Sequence, residues 1–138
     1  MRLWHWKLIP VLPRQQLLGQ WRECCLIAKE IKENGTPNHI LVNSIMNYPL
    51  DHFCWYTQKV CHEMSNRGYH SDFYKFVETL PKKENGLPYY PIKNDLLFSG
   101  WHNDQYLQQC YYNLQEKHDR GGITDEEWQK IEDFCKGE

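Results

Sequence analysis

Apolar residues recur at steps of three and four along most of this chain, in blocks bounded by Pro and Gly. That spacing puts them on one face of an α-helix, whereas a half-buried strand would alternate them. The first block carries Leu17, Trp21, Cys24, Cys25, Ala28 and Ile31, with Pro13 before it and Asn34-Gly35 after it. Pro needs no N–H at a helix start, and Gly accepts the positive φ of a helix stop. Thr36-Pro37 predicts a second helix bearing Ile40, Leu41, Ile45 and Met46, ending before Pro49. A third is expected over 50–67, with a stripe of Leu50, Phe53, Cys54, Thr57, Val60, Cys61 and Met64 closed by Gly68. A short helix at 71–80 follows, carrying Phe73, Phe76, Val77 and Leu80. Residues 81–101 hold three Pro and two Gly and read as the longest irregular stretch. Another helix is expected over 104–118, with Leu107, Cys110, Tyr111 and Leu114 on one face and Gly121-Gly122 beyond it. Thr124 and Glu127 have capping-box spacing, and Trp128, Ile131 and Cys135 make the stripe of the last helix. No strand alternation, internal repeat or low-complexity segment appears. The expectation is an all-α fold: one compact domain, 1–138, of five or six helices behind an aromatic-rich lead-in at 1–12.

A length of 138 residues fits one domain and is enough to bury about two thirds of the unfolded surface. Sixteen basic residues against eighteen acidic ones give a net charge of −2. That balance argues against a polybasic nucleic-acid coat and against an anionic-membrane binder. The charge is uneven, however. Residues 1–32 carry six basic residues and only Glu23 and Glu30 as acids. No apolar run is long enough to span a membrane, and His5, Lys7, Pro10 and Pro13 interrupt any signal-peptide pattern. A reducing, cytoplasmic setting is therefore expected. The six cysteines include no CxxC pair and read as small core hydrophobes.

Several groups of residues have chemistry to offer. Gln15, Arg22 and Glu23 lie seven or eight apart, about two helical turns, and so share a face. An Arg, a Gln and a carboxylate can orient a phosphate or a base and move a proton. The same three residues also suit a solvated helix face with a local ion pair. Cys54, Cys61 and His62 lack the paired short spacings of a zinc site, so no metal is expected. Cys24-Cys25 has no neighbouring base to lower a thiol pKa. His102 precedes Asn103-Asp104; the pair reads as a helix cap, and His102 is a candidate for facing a cleft. Trp4, His5 and Trp6 sit beside basic residues, where aromatics either stack on unpaired bases or pack a core.

The opening MRLWHWKLIPVLPRQQLLGQWRECC, with Gln15-Gln16-Leu17, Trp21-Arg22-Glu23 and the later Arg67-Gly68-Tyr69, resembles the pyrimidine-dimer DNA glycosylase (phage endonuclease V) family. It is most similar to a bacterial branch that opens MRLW. A weaker likeness runs from 102 to 114. The resemblance implies a compact all-α fold and a glycosylase that attacks the sugar C1′ of one pyrimidine of a cyclobutane dimer. In that family the nucleophile is the chain's own α-amine. An imine forms and β-elimination nicks the strand, as in base excision repair, without a cofactor. By position, Glu23 would be the acidic catalytic residue, and Gln15 and Arg22 would contact DNA around the lesion. An α-amine titrates at about 7.7–8.0, so a usable fraction is neutral at physiological pH. A carboxylate beside it stabilises a cationic imine and shuttles protons.

Two features depart from the family pattern. The family's nucleophilic threonine, exposed by loss of the initiator methionine, is replaced by Arg2, which favours retention of Met1. The free amine then sits one residue further out. The next family position, an arginine, is Leu3. The phage members are also basic, and phosphate neutralisation supplies most non-specific DNA affinity. The leading expectation is a DNA glycosylase and abasic-site lyase using Met1 and Glu23, with Arg2, Trp4, Gln15, Arg22 and His102 at the nucleic acid. The alternatives are a non-catalytic module that holds a nucleotide or flipped base with Arg2, Arg22 and the Trp4/Trp6 aromatics, or the same pocket acting on a small nucleoside or nucleotide. No membrane and no obligate protein partner is expected.

Overall fold

The computed structural model describes residues 1–137. Its longest helix, α1 (Arg14–Asn34), starts after Pro13 and ends where Gly35 takes φ 79° and donates its N–H to the Ile31 carbonyl at 2.8 Å. α2 (Leu50–Asn66) ends before Gly68, whose φ of 84° turns the chain back. α3 (Phe73–Thr79) is short. α4 (Asp104–Asp119) is capped by Asn103, whose side chain accepts from the Tyr106 N–H. α5 (Asp125–Lys136) begins with the capping box formed by Thr124 and Glu127. Four short 3-10 turns complete the described residues, which contain no strand. The fold is all-α.

The second predicted helix is absent. Only a 3-10 turn, Asn43–Asn47, forms there. Asn38 adopts φ 55°, which an α-helix cannot accommodate, and Ile40 is 85% exposed. Val42 and Ile45 are the aliphatic residues of that segment buried in the core, too few to support a helical face. The α1 stripe is also rotated from the expected one. Gln20 and Ile27 are buried, while Trp21 and Cys25 are only half-buried. α1 packs against both α2 and α3, and Trp21 meets Phe76 of α3 at the edge of that contact, at 6.2 Å between ring centroids.

Two segments without α-helix are nevertheless internal. In the lead-in, Leu3, Trp4, Leu8, Ile9 and Leu12 belong to the same core as the helices, and residues Trp6–Val11 form a 3-10 turn packed on α2 and α5. At the end of the irregular stretch, Leu97 and Phe98 are buried. Asp51 of α2 anchors that stretch by accepting from Lys83 Nζ at 2.7 Å and the Tyr90 N–H at 2.6 Å. Among the described residues, no helix is long and apolar enough to cross a membrane.

Candidate active site

The lead-in is held by its backbone. Gln20 of α1, 1% exposed, is the centre of the arrangement. Its Oε1 accepts the Trp4 N–H at 2.8 Å. Its Nε2 donates to the Arg2 carbonyl at 2.9 Å and to Glu23 Oε2 at 3.3 Å. The Tyr56 hydroxyl, fully buried on α2, donates to the Trp4 carbonyl at 2.6 Å and lies 3.0 Å from Gln20 Oε1. The Tyr106 hydroxyl of α4 donates to the Leu3 carbonyl at 2.6 Å. The Trp6 N–H donates to His102 Nδ1 at 3.2 Å. Three helices and the loop before α4 thus supply partners for an extended segment that has no sheet to pair with, as buried backbone groups require.

One side chain therefore joins the amino-terminal backbone to the Glu23 carboxylate. Glu23 is half-buried, one turn along α1 from Gln20. Met1 packs partly buried against the core, and its amine takes part in none of the ion pairs among the described residues. The Arg2 side chain folds back over the protein: its guanidinium lies 5.5 Å from the Trp4 ring and 3.9 Å from Cys110 Sγ.

The histidines beside the segment are neutral. His5 and His102 are buried with ring centroids 5.1 Å apart. Burial pushes His102 down to about 2, with His5 adding to the effect, and burial also brings His5 down to about 4. His102 Nε2 is buried without a partner among the described residues. Each Nδ1 accepts a backbone N–H, from Trp6 to His102 and from Lys7 to His5.

The candidate residues separate into two groups. Met1, Arg2, Trp4, Glu23 and His102 gather around the lead-in, with Trp4 and His102 both buried. Gln15 and Arg22 lie exposed on α1, where the Arg22 guanidinium lies over Gly19. Arg67, Gly68 and Tyr69 tie the lead-in to α2 and α1. Arg67 donates to the Leu12 carbonyl at 2.8 Å and the Pro10 carbonyl at 3.2 Å, while Tyr69 accepts from Arg14 Nε at 3.0 Å. Burial pushes the Cys25 and Cys54 thiols up to about 11, which keeps them protonated at neutral pH. Among the described residues, no group of three or more His, Cys, Asp or Glu side chains is placed to hold a metal ion.

Gln20, Tyr56 and Tyr106 were not among the residues singled out from the sequence. Gln20 had a signal, since it stands three after Leu17 and four before Cys24, inside the apolar register. Tyr56 is likewise in register between Phe53 and Val60. Tyr106 had none.

Neither curated proteins nor solved structures yield a match to this chain. The family model for pyrimidine dimer DNA glycosylase does match, over residues 1–75. That span contains the lead-in, Gln20, Glu23 and Tyr56, and it covers more than half of the chain, so the protein belongs to the pyrimidine dimer DNA glycosylase family.

Proposed function

We propose that the protein is a DNA glycosylase with abasic-site lyase activity on a damaged or modified base, with the Met1 amine as nucleophile and Glu23 as the catalytic carboxylate. The observation that carries this reading is the double hydrogen bond of Gln20, which ties the backbone at Arg2 and the carboxylate of Glu23 to one side chain. A nucleophile on a chain terminus is useful only if the terminus is held, and the lead-in is held at Arg2, Leu3 and Trp4. Ordering of this kind supplies the positioning that bimolecular attack lacks.

In the proposed reaction the amine nitrogen bonds to C1′ while the bond from C1′ to the base breaks, and the base leaves with that electron pair and a proton. The sugar ring opens to a protonated imine, which the Glu23 carboxylate stabilises. Glu23 then takes a proton from C2′, and the C3′–oxygen bond breaks to nick the strand. Exposed Gln15 and Arg22 contact the DNA beside the lesion, Arg22 by charge-assisted hydrogen bonds to phosphate. Arg2, Trp4 and His102 shape the same end of the site by holding the segment that ends in the amine. A damaged step is cheaper to unstack than intact duplex, which favours lesion over undamaged DNA.

Borohydride trapping tests this. Duplex DNA containing a cyclobutane dimer or an abasic site should yield a covalent adduct, which Glu23→Gln reduces and acetylation of the amino terminus abolishes. No adduct with any such substrate, or an adduct indifferent to both changes, sinks the proposal.

A further inference from the structure

A cavity of about 570 Å³ opens between the lead-in turn, α2 and α5, lined in part by Trp6, Trp55, Lys59 and Phe134. Its volume lies in the range of small-molecule sites, about 300–1,000 Å³. None of Met1, Glu23, Gln15 or Arg22 lines it. The two indoles share one cation: Lys59 Nζ is 5.7 Å from the Trp6 ring centroid and 5.9 Å from that of Trp55. A second ammonium, on Lys7, is 5.7 Å from the Trp6 ring. Glu63 also lines the cavity, but its carboxylate is already paired with Arg67 at 2.8 Å. The two lysines therefore leave a net positive charge against aromatic walls. Burial lowers the pKa of Lys59, a condition that a bound anion would relieve. The Trp55 indole N–H is buried with no acceptor among the described residues, a donor that most native structures satisfy.

The aromatic walls and the lysines ask for a ligand with a flat π-face and a negative charge. We infer that the cavity is a nucleotide-binding site, in which a base lies against the Trp6 and Trp55 indoles and the phosphate is held by Lys7 and Lys59. Bases stack on aromatic side chains with little regard to sequence, and lysine holds phosphate as a point charge. The nucleotide is either free or one unpaired unit of a strand. The inference is independent of the lyase reading, because it uses none of the residues of that site.

Calorimetric titration of the full chain with adenosine and thymidine 5′-monophosphates is the test, with ¹H–¹⁵N spectra of the indole groups to locate binding. Saturable binding is expected, with shifts at the Trp6 and Trp55 indoles that exceed those at Trp4. Lys59→Gln should weaken it by about tenfold or more, and Lys59→Arg should restore most of the loss. Trp55→Ala removes one aromatic wall and should weaken binding several-fold. Ribose 5-phosphate and the free nucleosides should each bind at least about tenfold more weakly than the nucleotides. A short oligothymidylate separates the sources. Tighter binding that falls steeply with salt identifies a strand, and a weak salt response identifies the free nucleotide. No saturation by about 1 mM, equal affinity for ribose 5-phosphate, or indifference to Lys59→Gln overturns the inference. Glu23→Gln, by contrast, should reduce trapping and leave the nucleotide titration unchanged, so the two proposals fail separately.

Discussion

Trp4 and Trp6 stand two residues apart and meet opposite environments. Trp4 is 6% exposed, and its N–H and carbonyl are both bound by buried side chains. Trp6 is half-buried: it packs against the core and also lines a cavity, where two lysines lie near its ring. Around Trp4 the backbone N–H and carbonyl are matched within the protein, and the nearby histidines are neutral. Around Trp6 two ammonium groups face an open cavity. The difference teaches that one aromatic-rich opening serves two ends: residues 2–4 fix where the terminus lies, and residues 6 and 7 face outward to a second surface.

The contrast can be broken by substitution, and the clamp should give the largest effect. Gln20→Ala leaves a buried Trp4 N–H and the Arg2 carbonyl unmatched, and should destabilise the fold by about 3–5 kcal/mol in urea unfolding. Strand cleavage should fall with it even at temperatures where the variant stays folded. Acid should act next. Both histidines have folded values below their ordinary 6.5, to about 4 for His5 and about 2 for His102, so the unfolded chain takes up protons first as pH falls. The stability held by the neutral pair is complete above about pH 6.5 and is lost on descending below it, at up to about 1.4 kcal/mol per pH unit for each ring. Between pH 7 and pH 5 the wild type should lose about 2–4 kcal/mol, and His102→Asn, whose amide oxygen can still accept from Trp6, about half of that.

Tyr56→Phe removes one donor from the Trp4 carbonyl and should cost about 1–2 kcal/mol. Changes on the open surfaces should be smallest. Lys59→Gln and Arg22→Ala should each alter stability by no more than about 0.5 kcal/mol. Arg22→Ala should instead weaken duplex binding and reduce its salt dependence by about one phosphate contact, read from affinities across a salt series. If Arg22→Ala destabilised the fold as much as Gln20→Ala, the division between a buried clamp and an exposed binding face would be wrong.

Helix boundaries were well marked in the chain. Pro13, Gly35, Gly68 and the Thr124/Glu127 box stand at the ends of the helices, because local sterics and orphan backbone groups decide such points. The segment with Ile40, Leu41 and Met46 misled, because apolar spacing does not reveal whether a neighbouring surface exists to cover it. Those three side chains are exposed. Glu23 and the lead-in were noticed through likeness to a family. Their connection through Gln20 was not, although Gln20 stands in the apolar register where a polar residue must find buried partners.

By itself the sequence determined an all-helical chain, most of its stops and starts, and the residues of its opening that the family model matches, since these depend on local spacing and on residue identity. Only the tertiary structure decided that Tyr56 and Tyr106, 50 or more residues away, hold the backbone of the opening, and that Trp55 and Lys59 meet Trp6 across a cavity. Those contacts form between elements whose relative placement follows from packing the whole core, and no local pattern encodes that placement.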